Sequence, residues 1–298
     1  MRVDPQYVSN LAESLNSTTA IEQILSEELS SGKSVNSLSD NPVAVGQNVL
    51  MNSQLSLDDT FSTTATSTES MLQVGDSALG SVVSQLTTAI SLATEANNGT
   101  LSSDNLKTIA QQLSGIRDEV LSLANTTYLG QYVFAGSQGS TTPFTLDSTT
   151  TPASVTYNGD SNVTYLATPN GQKIQLNVPG DQIFSASGTD VLGTLNNLIA
   201  DFSSGTAAST AQTDTTALTS ALSYVSQQRV VIDNSITRLT AAQTYAASES
   251  TQLQSAQTNL LQADVAQVAA KLSTAETQQS ALTQVIAALG KGSLFDAL

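Results

Sequence analysis

Residues 261–289 read LQADVAQVAAKLSTAETQQSALTQVIAAL, and their spacing decides the fold. Leu261, Val265, Val268, Leu272, Ala275, Gln279, Leu282, Ile286 and Leu289 lie alternately four and three residues apart. That is the heptad seam of a helix that supercoils against another helix. At about 1.5 Å per residue the seam is roughly 43 Å long. Gln279 is polar, and the positions off the seam are mostly Ala, Gln, Ser and Thr rather than charged residues. Burial of the large seam residues does not by itself offset the conformational entropy of fixing this stretch. The expectation is an end that is loose in the free protein and orders within an assembly.

Working outward, a second helical pattern precedes the seam, from about Thr215 to Ala247, with Leu218, Leu222, Val225, Ile232, Ile236 and Leu239 on one stripe. A shorter one covers residues 191–202. Between Gly130 and Gly188 the helical spacing disappears. Short alternating runs at 131–135, 154–157, 162–167 and 173–178 predict strands, and Asn158-Gly159 and Asn170-Gly171 predict hairpin turns. Upstream, residues 43–97 and 103–123 read as a helical hairpin broken at Asn97-Asn98-Gly99-Thr100, with Ser102 or Ser103 as cap.

At the other end Val8, Leu11, Leu15, Leu25 and Leu29 form an N-terminal seam that can supply the partner of the C-terminal helix. Gly32 suits a helix end, and Pro42 suits a first helical turn capped by Asp40 or Asn41. The predicted fold is therefore mainly α with a β insert. N- and C-terminal segments form a long antiparallel helical bundle or coiled coil, and a small, mostly β domain is inserted mid-chain. The expected boundaries are 1–40 and 251–298 for the terminal coiled coil, 41–129 and 191–250 for an inner helical bundle, and 130–190 for the β domain.

Composition narrows the function. Of the 298 residues, 39% are hydrophobic and only 11% charged, so much of the surface is hydrated by hydroxyls and amides and can pack against copies of itself with little ion desolvation. Nine Lys and Arg against twenty-five Asp and Glu leave a net charge of -16, which argues against nucleic acid or an anionic membrane as partner. With no Cys and no His, the thiol nucleophile, the zinc-thiolate site and the commonest general base are all missing. No catalytic residue, metal ligand or cofactor is expected. Asp147, Asp160 and Asp181 offer the β segment a thin case for a carbohydrate site. No apolar run approaches the ~20 residues of a membrane span. MRVDPQYVSN lacks the basic and apolar regions of a secretory signal.

Three stretches carry a resemblance. The first is Leu29-Ser30-Ser31-Gly32-Lys33-Ser34-Val35-Asn36-Ser37, followed by Asp40-Asn41-Pro42. The second runs from Asn125-Thr126-Thr127 through Gly130-Gln131-Tyr132-Val133-Phe134-Ala135-Gly136-Ser137 to Thr142-Pro143-Phe144. The third is the end, Ser293-Leu294-Phe295-Asp296-Ala297-Leu298. In this order they resemble the bacterial flagellin superfamily. Pro42 and the Leu294-Phe295 end are more similar to its hook-associated branch than to true flagellins.

The resemblance implies a structural axial protein, not an enzyme, that joins hook to filament as a short ring assembled by terminal coiled-coil packing. It implies partners of four kinds: copies of the chain in a ring, hook-associated protein 1, flagellin, and a flagellar export chaperone. It also implies an extracellular place on the bacterial flagellum, reached by type III export without a cleaved signal peptide. A flagellin-type filament subunit is the alternative.

Overall fold

The computed structural model describes residues 5–207 and 209–294. The side chains of Val8, Leu289 and Leu294, and Phe295 altogether, lie outside the described residues. The chain divides into two compact units, one from residues 1–56 and 248–298, the other from 57–247. Helix α1 spans Pro5–Ser31, α2 Pro42–Asn97, α3 Ser103–Ala124, α4 Asp181–Phe184, α5 Val191–Ser203, α6 Ala211–Leu261 and α7 Val265–Leu294. Strands β1 (Thr127–Tyr128), β2 (Gln131–Tyr132), β3 (Phe144–Asp147), β4 (Ser154–Tyr157), β5 (Tyr165–Ala167) and β6 (Lys173–Gln175) fall between α3 and α4.

In the first unit, local chemistry sets the helix ends. Gly32 takes φ +68, which a side chain would resist, and donates its N–H to the Glu28 carbonyl at 2.9 Å to close α1. Asn41 caps α2 by accepting the Ala44 N–H at 3.0 Å, with Pro42 as the first helical residue. Asp40 does not cap the helix. Its carboxylate turns back on the connecting loop and accepts the N–H groups of Asn36 and Ser37 at 3.0 and 2.7 Å.

The C-terminal seam is not one helix. The preceding helix, α6, runs on without a break to Leu261, well past the expected end near Ala247. The chain then breaks at Gln262-Ala263-Asp264, and α7 starts afresh. Asp264 is the cause: its Oδ1 accepts the N–H groups of Ala266 and Gln267, both at 3.1 Å, so it serves as an N-cap where the heptads imply a helix interior.

The second unit has one continuous hydrophobic core, running from Phe61 on α2 through Leu79, Leu113 and Val120 to Leu195, Leu218 and Leu239. Phe134, Phe144, Ile174 and Phe184 of the β segment belong to the same core. The small, mostly β segment consists of three antiparallel two-stranded ribbons, β1-β2, β3-β4 and β5-β6. The expected run 154–157 is strand over its whole length, whereas 131–135 keeps only Gln131-Tyr132, because Val133, Phe134 and Ala135 leave the ladder to be buried.

Asn170-Gly171 sits in the β5-β6 hairpin as expected, but Asn158-Gly159 joins β4 to β5, which do not pair. Instead Asn158 donates its N–H to the Pro143 carbonyl at 2.7 Å. Short helix α4 follows the last strand and buries Ile183 and Phe184. Among the described residues no helix is long and apolar enough to cross a membrane.

Candidate functional site

The pairing of α1 with α7 builds the most distinctive surface of the first unit. A short antiparallel clamp fixes its start: Ser34 donates its N–H to the Leu261 carbonyl at 2.7 Å, and Ala263 donates to the Gly32 carbonyl at 2.9 Å. From there the helices run in opposite directions. Leu25, Ala263, Val268 and Ala275 are buried together, with Leu272 packed against them. Farther along, the Gln279 amide donates to Thr19 Oγ1 at 3.2 Å, and Thr19 Oγ1 donates in turn to the Leu15 carbonyl at 3.0 Å. The one polar seam position is thus met by a hydroxyl, a pairing that fixes register as a buried polar residue does in a coiled coil. Following the same register, Leu15 and Leu11 fall level with Leu282 and Ile286, and all four are half-buried.

Leu29 and Val265 are not drawn into this seam. Val265, the first residue of α7, is 52% exposed, and Ala263, in the break before it, is buried with Leu25 instead. Leu261 is half-buried, and its carbonyl rather than its side chain makes the clamp. Among the residues behind the resemblance, Gly32, Asn36, Asp40 and Pro42 shape the turn from α1 to α2. Phe134 and Gly136 belong to the second unit. Phe134 stacks edge-on against Phe184 at 5.6 Å. Gly136 has φ +70, and a Cβ there would come 2.1 Å from the Asp160 carbonyl oxygen.

Much apolar surface of the first unit is uncovered. Tyr7, Ile21, Ile24 and Leu29 on α1 and Val265 and Val285 on α7 are exposed, and so are Val43 and Leu50 on α2, at 70% and 71%. A groove between α1 and α7 runs past Ile21, Leu25, Gln267, Ala270, Lys271 and Thr274. Residues 42–56 contain no charged side chain. Sequence periodicity marked α1 and α7 as sticky, but it did not single out Val43 and Leu50; their seven-residue separation was the available signal. In the second unit, Leu129 was also missed: it sits at φ 49 and 83% exposure at the tip of the β1-β2 turn, a strained place for a leucine.

The carboxylates of the β segment are tied to their own loops. Asp160 accepts the Ser137 N–H at 2.8 Å, the Ser137 hydroxyl, and the Asn162 amide at 3.0 Å, which together hold its carboxyl down at about 2. Asp147 is held low by the Thr149 hydroxyl and N–H. Asp181 accepts the Ser161 hydroxyl. Two acids that stay ionised well below neutrality are poor proton donors at neutral pH. Among the described residues no group of three or more His, Cys, Asp or Glu could hold a metal ion.

Known proteins match both the fold and the sequence. The family described as the bacterial flagellin N-terminal helical region matches residues 6–139. Flagellar hook-associated protein 3 of Salmonella typhimurium is 40% identical over 157 residues, 48% of this chain and 46% of that protein. Its Escherichia coli counterpart is 43% identical over 129 residues, 40% of this chain and 38% of that one. The alignments thus span less than half the length of these curated relatives. The flagellar junction protein FlgL of Legionella pneumophila has a similar fold, with a TM-score of 0.59 at 15% identity, over 73% of this chain and all of that structure. A structure from Vibrio parahaemolyticus assigned to the hook-associated proteins gives a TM-score of 0.65 at 19% identity, over 75% and 100% of the two chains. With the flagellin helical region in its first half and this fold across three quarters of its length, the chain resembles the bacterial flagellin superfamily, and within it hook-associated protein 3.

Proposed function

We propose that this chain is a structural axial protein of the bacterial flagellum, joining hook to filament as a short ring of its own copies and doing no catalysis. The observation that carries the reading is the unit built from α1, the start of α2 and α7. It buries few large side chains and leaves Ile21, Ile24, Val43, Leu50 and Val265 uncovered, and around Val43 and Leu50 the start of α2 carries amides and hydroxyls with no charged residue from 42 to 56. Such a surface gains free energy on packing against like surfaces and loses little to ion desolvation. The half-buried stripes of Leu11, Leu15, Leu282 and Ile286 continue the interface that copies would complete.

On this reading the partners are further copies of the chain, hook-associated protein 1 on the hook side and flagellin on the filament side. An export chaperone holds the apolar C-terminal helix before assembly. The protein then resides outside the cell on the flagellum, exported without a cleaved signal peptide. The proposed division of labour keeps residues 1–40 and 251–298 for the terminal coiled coil, 41–129 and 191–250 for an inner bundle, and 130–190 for the outer β part. The test is deletion of the coding sequence in the source bacterium, followed by electron microscopy of flagella and assay of the medium for flagellin. Hooks without filaments, with flagellin free in the medium, are the expected result. Intact filaments would overturn the junction role, and long filaments grown from the purified chain alone would make it a flagellin-type subunit.

A further inference from the structure

Three Asn-Gly pairs occur in this chain, at Asn98-Gly99, Asn158-Gly159 and Asn170-Gly171. In such a pair the glycine nitrogen can attack the asparagine side chain, since no Cβ shields it. The fold treats the three differently. Asn158 has its amide on Thr145 Oγ1 at 3.1 Å, and the space at Gly159 is filled: a Cβ there would lie 2.5 Å from the Tyr157 hydroxyl and 2.8 Å from the Ala135 carbonyl oxygen. In the second pair Asn170 accepts the Thr168 hydroxyl, and Gly171 spends its N–H on the Thr168 carbonyl at 2.8 Å.

Asn98 and Gly99 differ from both pairs in hydrogen bonding, though in openness they match Asn170 and Gly171, which are exposed too, with Gly171 at φ +82 and nothing within 4 Å of its would-be Cβ. Both are exposed, Gly99 has φ +69, and nothing lies within 4 Å of where its Cβ would be. Among the described residues the Asn98 side chain and the Gly99 N–H have no hydrogen-bond partner.

We propose that Asn98 is a site of spontaneous modification, converting to aspartate and isoaspartate in the folded protein while Asn158 and Asn170 are protected. The Gly99 nitrogen, having lost its proton to base, forms a bond to Asn98 Cγ. The Cγ–Nδ2 bond breaks and ammonia leaves with a proton from solvent, giving a five-membered succinimide. Water then opens the ring: attack at Cγ gives aspartate, and attack at the backbone carbonyl carbon gives isoaspartate. The new carboxylate stands just past the C-terminal end of α2, where the helix dipole disfavours negative charge. It also follows Asn97, whose amide holds Thr215 Oγ1 of α6 at 2.9 Å.

The test incubates the full-length folded protein at mildly alkaline pH in water enriched in oxygen-18 and follows all three peptides by mass spectrometry. The Asn98 peptide should convert at least about tenfold faster than the other two, the ratio that a barrier difference of about 1.4 kcal/mol produces. Conversion at Asn158 or Asn170 as fast as at Asn98 would overturn the proposal. In denaturant the three rates should converge; a ranking that survives unfolding would assign the order to local sequence and would also overturn it. An Asn98→Gln variant identifies the signal, which should be absent from its corresponding peptide.

Discussion

Two side chains show how tightly the second unit is specified at the level of single residues. Phe184 is fully buried and meets Phe134 and Phe144 edge-on at 5.6 and 5.4 Å, joining the β segment to the helical core. Phe184→Ala should cost about 3–5 kcal/mol, read as a lower midpoint in denaturant unfolding with an unchanged slope. Asp160 makes a pH-dependent contribution. Its carboxyl is held at about 2 in the fold against an ordinary value of 3.8, so folding favours the charged form. The resulting stabilisation is complete above pH 3.8 and is lost as pH falls through about 2. A carboxyl titration by NMR should place the midpoint near the lower value, and Asp160→Asn should remove this part of the acid limb. A midpoint at the ordinary value would mean that the Ser137 and Asn162 hydrogen bonds are not held in solution.

Among the elements, the pairing of α1 with α7 is the one on which the proposed assembly depends. Replacing Val268 and Leu272 by Asp places unpaired carboxylates against Leu25 and should cost about 2 kcal/mol or more per site. The expected outcome is cooperative unfolding of residues 57–247 retained and no incorporation into flagella. Normal motility of that variant would count against the proposed packing. Most of this pairing was legible in the sequence, because a period of three and four residues survives in any register. The break at Asp264 was not, since one capping aspartate inside a long apolar stripe leaves the periodicity intact while ending the helix. Asp264 followed by Val265 was nonetheless a usable cap signal. The β ribbons were legible as strands, but their partners were not: Asn158-Gly159 has the residues of a hairpin turn, and only the burial of Tyr157 and Phe144 around it decides that β4 pairs backward with β3.

For the whole molecule, charge and chain order matter most. Copies that each carry a net charge of -16 repel one another, while the exposed start of α2, residues 42–56, has no charged side chain. Added salt should therefore promote self-association of the purified protein, since the Debye length falls from about 10 Å at 0.1 M to about 3 Å at 1 M. Sedimentation velocity at rising salt tests this, and association that weakens with salt would point instead to ion pairs between copies. The clamp between Ser34 and Leu261 adds a consequence in time. Its two strands are 227 residues apart, so α1 emerges from the ribosome long before the segment it pairs with exists. Helix α1 must wait for those 227 residues before it can find its place, and until then its leucines are open to any other binder.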